Sequence, residues 1–419
     1  MKMTKYKLGE LVEVTRGASL SGQFYAEEGK LIRLTLGNFN MNGGGFKENT
    51  SKTDLYFTGT VRDEFILNKG DIITPLTEQS LGLLGTTARI PESGKYIQSQ
   101  DVALVRCKEG LLDPNFCYYL ISSSIVRQQL SAAAQQTKIR HTSPEKIKDC
   151  TVWVPDFYTQ KNIGRILTDI DNKIAINRRI NDNLEAMAKQ LYDYWFVQFD
   201  FPNEEGKPYK SSGGAMVWNE KLKREIPQGW SNGVLSDVAN ITMGQSPDGS
   251  SYNEDSEGII FYQGSTDFGL RFPDIRQYTT SPSRYANKGD ILMSVRAPVG
   301  ALNIANNDCC IGRGLSALSS KIGSITHLYY LMNDFRLKFE GMNSAGTTFG
   351  SITKDELFSL PVIIPTKSVI SEFEQVCEPI FDKQMIIGEE INALTKQRDE
   401  LLPLLMNGQA TVNYHLSAC

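Results

Sequence analysis

The sequence predicts an α+β protein in which two globular domains, arranged as a tandem repeat, are separated by two long antiparallel coiled-coil helices. Three observations predict this fold class. Four segments of the first half recur in order in the second half, and both halves contain short apolar runs bounded by glycine and polar residues. Each half then ends in a heptad pattern of about forty residues. At 419 residues, the chain is long enough for two or three separate cores.

The internal repeat organises the whole chain. Four pairs of segments match: LGELVEVTRGAS (8–19) with LSDVANITMGQS (235–246), NKGDII (68–73) with NKGDIL (287–292), FCYYL (116–120) with HLYYL (327–331), and TSPEKIKDCTVWVP (142–155) with ITKDELFSLPVIIP (352–365). The offset falls steadily from 227 to 210 residues, so the second copy contains net deletions. Because chance similarities would not keep their order, we infer a duplication.

Within each copy, the first part has the pattern of a mixed domain. Short apolar runs such as GDIITPL, DVALVRC and TVWVP in the first copy, and GIIFYQG, GDILMSV and PVIIP in the second, are typical of strands between turns. Two longer segments without glycine, Pro114–Leu130 and Thr326–Phe339, are predicted helices.

The second part of each copy is predicted to be one long helix. Apolar residues recur at steps of three and four along two tracks: Ile163, Leu167, Ile170, Ile174, Leu184, Leu191 and Trp195 in the first, and Phe373, Cys377, Ile380, Ile387, Ile391, Leu394, Leu401 and Leu405 in the second. Asn177, Asn181, Gln384 and Arg398 interrupt the tracks. A stripe this long exceeds what a helix of a single domain needs, so we expect the two helices to pair with each other in opposite directions.

These patterns give the expected domain boundaries. They are a first globular domain (1–158), a first helical spacer (159–199), a central connector (200–230), a second globular domain (231–365), a second helical spacer (366–407) and a C-terminal tail (408–419). The connector is rich in Pro, Gly and Ser, which predicts a segment that is ordered in part and flexible in part.

Composition excludes several classes of protein. The chain is 40% hydrophobic and 22% charged, with no apolar stretch long enough for a membrane span and no signal-peptide core near its start, so we expect a cytoplasmic protein. The seven cysteines show no paired spacing, which argues against a disulfide framework or a zinc site. The net charge is −4, and it is uneven: residues 1–155 carry +3 and residues 228–365 carry −3. If the chain binds DNA, a partner must supply much of the positive charge.

Several motifs carry a resemblance to a known family. FDFPNEEGKPYKSSGGAMVWNEKLKREIPQGW (199–230) resembles the central conserved segment of the specificity subunits of type I restriction-modification systems. NKGDI in both halves, the WxxG-like opening Trp230–Gly233, Gly-Thr at 346–347 and a V-x-V/I-P strand before each helix are also similar. The resemblance covers essentially the whole chain.

The resemblance implies a non-catalytic division of labour. Each globular domain would be a target-recognition domain that reads one half of a split site in double-stranded DNA, and the helices would set the gap between the halves. Methylation subunits, two in our expectation, would dock on the helices, and restriction/translocase subunits would join them. No cofactor, metal or membrane is implied.

The residues themselves offer no catalytic site. The sequence contains no adenine-methyltransferase tetrad, no P-loop and no clustered histidines. Two alternatives remain open at this point. One is a tandem protein- or glycan-binding module with coiled-coil oligomerisation helices, and the other is an enzyme whose site has no recognisable motif.

The candidate DNA contacts lie in four polar loops that occur at matching places in the two copies. We number these readout loops in chain order: loop 1 at 15–19 and 242–246, loop 2 at 77–80 and 294–298, loop 3 at 98–100 and 312–314, and loop 4 at 135–140 and 346–349. Arg, Lys, Gln and hydroxyl side chains can contact base edges and phosphates. The predicted DNA-binding residues are Arg16, Ser19, Gln79, Gln100, Gln135, Gln136, Thr137, Lys138, Arg140, Gln245, Arg296, Arg313, Thr347 and Thr348.

Overall fold

The computed structural model describes residues 1–41, 44–78, 82–133, 140–344 and 350–412, without the side chains of 341–344. The chain forms two compact units. Unit 1 contains Met1–Ala175 and Asn392–Cys419, and unit 2 contains Ile176–Ile391. Both units combine helices and sheets, which confirms the predicted α+β class. The borders of the units fall inside the two long helices, because each half of a helix packs with a different globular domain.

The elements of the first half follow in chain order. They are β1 (Thr4–Lys7), α1 (Leu8–Leu11), β2 (Val12–Arg16), β3 (Tyr25–Ala26), β4 (Leu31–Arg33), β5 (Tyr56–Phe57), β6 (Ile72–Pro75), β7 (Thr77–Glu78), β8 (Ala88–Arg89), β9 (Tyr96–Ile97), β10 (Val102–Cys107), α2 (Pro114–Ser122), α3 (Ser124–Ala133), β11 (Arg140–His141), α4 (Pro144–Lys148), β12 (Thr151–Val154) and α5 (Phe157–Tyr192).

The first globular domain is built on an antiparallel sheet of order β2-β10-β6-β8. A smaller sheet has the order β3-β5-β4-β9, in which β4 and β9 run parallel, and β1 pairs with β12. The helix predicted at 114–130 is two helices, because Ser123 between α2 and α3 has an extended backbone. The Asp113 side chain caps the start of α2 by accepting hydrogen bonds from the amides of Asn115 and Phe116.

The second half repeats this order after a hairpin. Its elements are β13 (Met216–Asn219), β14 (Arg224–Pro227), β15 (Ser231–Val234), α6 (Leu235–Val238), β16 (Ala239–Met243), β17 (Tyr252–Asn253), β18 (Ile259–Tyr262), β19 (Tyr278–Thr279), β20 (Tyr285–Ala286), β21 (Ile291–Ser294), β22 (Leu302–Ile304), β23 (Cys309–Ile311), β24 (Leu315–Ser320), α7 (Ile325–Ser344), α8 (Lys354–Phe358), β25 (Pro361–Ile364) and α9 (Lys367–Met406).

The main sheet and the outer strand pair of the second domain match those of the first, and its smaller sheet has the additional strand β20. The main sheet has the antiparallel order β16-β24-β21-β22, and β15 pairs with β25 as β1 pairs with β12. The smaller sheet has the order β17-β19-β18-β23-β20, in which β18 and β23 run parallel. The duplication inferred from sequence is therefore repeated in topology, and matching loops leave matching strands.

The two long helices pair as their heptad tracks predict. In unit 1, Ile163 and Leu167 of α5 belong to the same buried cluster as Leu405 of α9. In unit 2, Asn177 donates to Glu390 Oε2 over 2.8 Å, and Glu185 Oε2 accepts from Gln384 over 2.7 Å. As the number rises along α5, the partner's number falls along α9, so the helices are antiparallel within unit 2.

The polar interruptions of the tracks lie inside the seam. Asn177, Asn181, Gln384 and Arg398 are all buried. Burial of polar side chains costs stability unless they are paired, but such residues can fix the register of a helix pair.

The central connector is more ordered than its composition predicts. A π-helical turn, Asp193–Val197, ends the first long helix, and the β13–β14 hairpin follows. Phe201 stacks on Trp230 with ring centroids 5.1 Å apart, and Phe196 meets Phe373 edge-on at 4.8 Å. These aromatic residues give the Pro- and Gly-rich segment a packed core that it shares with α5, α7 and α9.

The buried seam generates a stability prediction. Leu167→Ala should lower the free energy of unfolding by about 2–5 kcal/mol, because Leu167 is fully buried and the change leaves a cavity. Ile176→Ala on the same helix is the control and should cost less than about 1 kcal/mol, since Ile176 is half exposed. Urea denaturation followed by circular dichroism measures both, and equal losses would contradict the assigned seam.

Candidate nucleic-acid interface

Readout loops 1 and 3 of the first copy lie against each other through their backbones. The amide of Ala18 donates to the Gln98 carbonyl over 2.9 Å, and the buried Gln98 side chain donates to the Thr15 carbonyl over 2.8 Å. Gly17 permits this approach, because a Cβ there would lie 2.2 Å from the Gln98 carbonyl oxygen. Gln98 thus holds the two loops together.

The second copy brings the same two loops together in the same way. The amide of Gly244 donates to the Leu315 carbonyl over 2.9 Å, and the amide of Gln245 donates to the Ile311 carbonyl over 3.0 Å. A Cβ at Gly244 would lie 2.2 Å from the Gly312 carbonyl oxygen. A close glycine contact between loops 1 and 3 is therefore common to both domains.

Five of the predicted DNA-binding residues lie on these two joined loops. In the first copy, Arg16, Ser19 and Gln100 are exposed, and Arg16 Nε donates to the Gln100 carbonyl over 2.8 Å. In the second copy, Gln245 and Arg313 are exposed, and the amide of Arg313 donates to the hydroxyl of Ser246 over 3.3 Å. Each domain thus presents an arginine and a glutamine from adjacent loops, a pair suited to base edges.

In the first domain, the described ends of readout loops 2 and 4 form a second junction. There, β7, which forms the start of loop 2, pairs with β11, which begins at the last residue of loop 4. Arg140 makes an ion pair with Glu78 over 3.0 Å, and Glu78 also accepts from the amides of Leu83 and Leu84. The Glu78 side chain is only 2% exposed and that of Arg140 19%, so this predicted DNA-binding arginine is held on a buried carboxylate.

Loop 2 of the second copy presents an arginine at its surface. Its backbone meets the start of the segment that follows loop 4, because Ala297 donates to the Gly350 carbonyl over 3.1 Å and Ile352 donates to the Val295 carbonyl over 3.0 Å. Arg296 is exposed at this junction. The remaining predicted residues, Gln79, Gln135, Gln136, Thr137, Lys138, Thr347 and Thr348, lie outside the described residues.

A polar cleft of about 300 Å³ lies beside loops 1 and 3 of the first copy. Tyr25, Asn49, Ser51 and Lys52 line it together with Gln100. Sequence reasoning missed Asn49, Ser51 and Lys52, because the matched segments of the repeat do not include them. Their signal would have been the Asn-x-Ser pattern, which predicts a turn: the amide of Ser51 donates to Asn49 Oδ1 over 2.9 Å.

The described residues contain no metal centre, since no three His, Cys, Asp or Glu side chains are placed to hold an ion. His327 is buried against Phe196, and burial lowers its pKa to about 3, so it is neutral and belongs to the core. Among the helices that the structure describes, none is both long and apolar enough to cross a membrane.

Both halves of the chain match one protein family. A family model described as the type I restriction modification DNA specificity domain covers residues 1–186 and 227–400. The chain belongs to this family. The two regions of this chain that match the DNA specificity domain contain both main sheets and all four pairs of readout loops.

Individual relatives agree with this membership. A protein of Methanocaldococcus jannaschii named as the MjaX type I restriction enzyme specificity subunit is 30% identical over 383 residues, which are 86% of this chain and 85% of the relative. The HindI specificity subunit of Haemophilus influenzae is 22% identical over 381 residues, covering 75% of this chain and 81% of the relative. The crystal structure of the S subunit of a type I restriction-modification system from M. genitalium has the same fold, with a TM-score of 0.62, 17% identity and 97% and 96% of the two chains covered.

The glycine contact of this specificity protein can be tested directly. Gly17→Ala should weaken DNA binding about tenfold, which is about 1.4 kcal/mol, because the added carbon must push loop 1 away from the Gln98 backbone. The control is Gly249→Ala, where the structure places no atom within 4 Å of the new carbon. Fluorescence anisotropy with the assembled complex and its target duplex measures both affinities. Equal DNA affinity of the two variants would show that loops 1 and 3 do not belong to the DNA-binding interface.

Proposed function

We propose that this chain is the non-catalytic DNA sequence-specificity subunit of a type I restriction-modification complex. Each target-recognition domain reads one half of a bipartite site, and the methyltransferase and nuclease/translocase activities lie on other subunits. The observation that carries this proposal is the presence of two DNA specificity domains in one chain, each with the same close contact between loops 1 and 3 beside equivalent main sheets. The alternative of a protein- or glycan-binding module is not supported, since both halves match a DNA specificity domain.

The exposed residues at the loop junctions determine which bases are read. Loops 1 and 3 offer Arg16 and Gln100 in the first domain and Gln245 and Arg313 in the second. Arginine favours the major-groove edge of guanine and glutamine that of adenine. The backbone contacts are common to both domains, but the arginine lies on loop 1 in the first domain and on loop 3 in the second, and the glutamine the reverse. Because the two side chains are presented in exchanged positions, we expect the two domains to read different half-sites.

Charge limits what the chain does alone. The net charge is −4, and residues 228–365, which include the second recognition domain, carry −3. Phosphate contacts supply most of the affinity for DNA and require basic groups. We therefore expect the partner subunits to supply the basic groups that make DNA binding by the complex tight. We place the complex in the cytoplasm, where chromosomal DNA is accessible.

An exposed apolar stripe along the second half of α5 and the π-helical turn that follows it supports docking of the methylation subunits on the helices. Its members are spaced by four, seven, seven and three residues, and their exposed fractions lie between 37% and 52%: Ile176, Ile180, Met187, Tyr194 and Val197. This is a second heptad track, separate from the buried seam of the same helix. A helix of a partner subunit would cover it, and we propose two methylation subunits per chain, with restriction/translocase subunits joining through them.

The bipartite reading is tested by exchange of one domain. Replacing residues 1–155 with the equivalent segment of a relative should change only one half of the methylated motif, because the two domains read separate half-sites. Replacing 231–365 is the reciprocal control and should change only the other half. Methylome sequencing of a host that carries the complex measures both motifs. A single exchange that altered both halves would contradict one reader per half-site.

Docking on the helices is tested by one charge on the stripe. Ile180→Glu should abolish or weaken by at least about tenfold the binding of methylation subunits, because it places a carboxylate in an apolar contact. Arg178→Glu on the same helix is the control, since Arg178 is exposed and outside the stripe. Size-exclusion chromatography of the mixed subunits measures assembly. Normal assembly of Ile180→Glu would place the docking surface elsewhere.

A further inference from the structure

A short segment of the second recognition domain reaches both long helices of unit 2. Phe272 is buried against α9, where a Cβ at Gly388 would lie 2.8 Å from the Phe272 ring. The neighbouring Arg271 is also buried, and the amide of Ile304 donates to its carbonyl over 2.9 Å. The segment is therefore fixed to the domain by its backbone and to the helices by two side chains.

The Arg271 guanidinium joins the two helices. Its Nη2 donates to Gln384 Oε1 of α9 over 3.1 Å, and its Nη1 lies 3.4 Å from Glu185 Oε2 of α5. Gln384 in turn donates to the same Glu185 oxygen over 2.7 Å. The guanidinium also lies over the Phe381 ring, 4.8 Å from its centroid. A planar group with several donors can make these contacts together, whereas the single ammonium of lysine cannot.

Such a network is poorly explained by stability alone. Removing an arginine from water has a cost that a buried ion pair often fails to recover, and buried pairs of this kind serve best to fix register. Here the contacts join a recognition domain to both helices at once. They therefore fix where that domain lies along the helix pair.

The buried arginine that contacts the helix pair comes from a different element in each unit. In unit 1 the buried arginine is Arg398 of α9 itself, which meets Asp171 of α5 over 3.0 Å, while Tyr119 donates to the same carboxylate over 2.6 Å. In unit 2 the buried arginine comes from the recognition domain. In unit 1 the recognition domain thus contributes a tyrosine to a pair between the two helices, whereas in unit 2 it contributes the arginine itself.

We propose that Arg271 is a positioning residue that sets the placement of the second half-site reader, and so determines which spacer length the complex accepts. The proposal rests on the proposed function. Arg271 contacts no base. Together with Glu185 and Gln384, it prevents the second recognition domain from shifting along the helices. Its loss should relax the spacer requirement and leave the two half-site sequences unchanged.

The test measures methyl transfer by the complete methyltransferase complex. The substrates are duplexes in which the two recognised half-sites are separated by the native spacer or by one base pair more or less. Arg271→Met should reduce the preference for the native spacer by about tenfold. Arg276→Met is the matched control, because Arg276 follows closely in sequence and makes only an exposed pair with Asp274. It should keep the wild-type preference.

Two further variants keep the test decisive. Glu185→Gln preserves size and removes the charge that Arg271 meets, so it should relax the spacer in the same direction even if Arg271→Met folds poorly. Arg271→Lys should be intermediate. The proposal is overturned if both Glu185→Gln and a folded Arg271→Met keep the wild-type spacer preference, or if either changes a base within a half-site. Failure of the wild-type complex to methylate any two-part site would instead overturn the proposed function, and this assignment with it.

Discussion

The seam between α5 and α9 is the interaction on which both units depend. In unit 1 the seam joins the core of the first recognition domain, and in unit 2 it carries the second domain and the aromatic core of the connector. Its apolar residues provide the burial, but apolar residues alone would tolerate a slip of one heptad. The buried Asn177, with its bond to Glu390, would lose its partner in such a slip. Polar residues in the seam therefore lower the stability of the helix pair but define its register.

The recognition domains separate a constant frame from variable chemistry. The frame is made of backbone contacts, above all the approach of Gly17 to Gln98 and of Gly244 to Gly312. Such contacts do not depend on which side chains occupy the loop tips. If these loops read bases as proposed, a change of a few exposed residues would give a domain a new half-site without rebuilding its sheet.

The fold could be predicted from the periodicity of the sequence, whereas the side-chain contacts within the candidate site could not. Collinear repeats and heptads are local signals, so the two domains and the two helices were predictable. The pairing of Arg140 with Glu78 joins residues far apart in sequence, and the sequence suggested only an available arginine. Arg271 gave no signal either, because the helix carboxylate and amide that it meets come from separate parts of the chain. The connector's aromatic residues could have indicated a core, but its Pro and Gly content dominated the prediction.

The order in which the chain closes on itself has a consequence for its synthesis. Unit 2 is one continuous segment, Ile176–Ile391, whereas unit 1 is completed by a segment that begins at Asn392. Leu405 and Met406 belong to the core of unit 1, so this core is not complete until the ribosome has added them, after the whole of unit 2. Until then the first recognition domain lacks the α9 side chains that cover α5 in its core, although it leaves the exit tunnel before unit 2. During translation, the part of the protein that is made first is the last to become stable, and that interval is when chaperones and proteases have access to it.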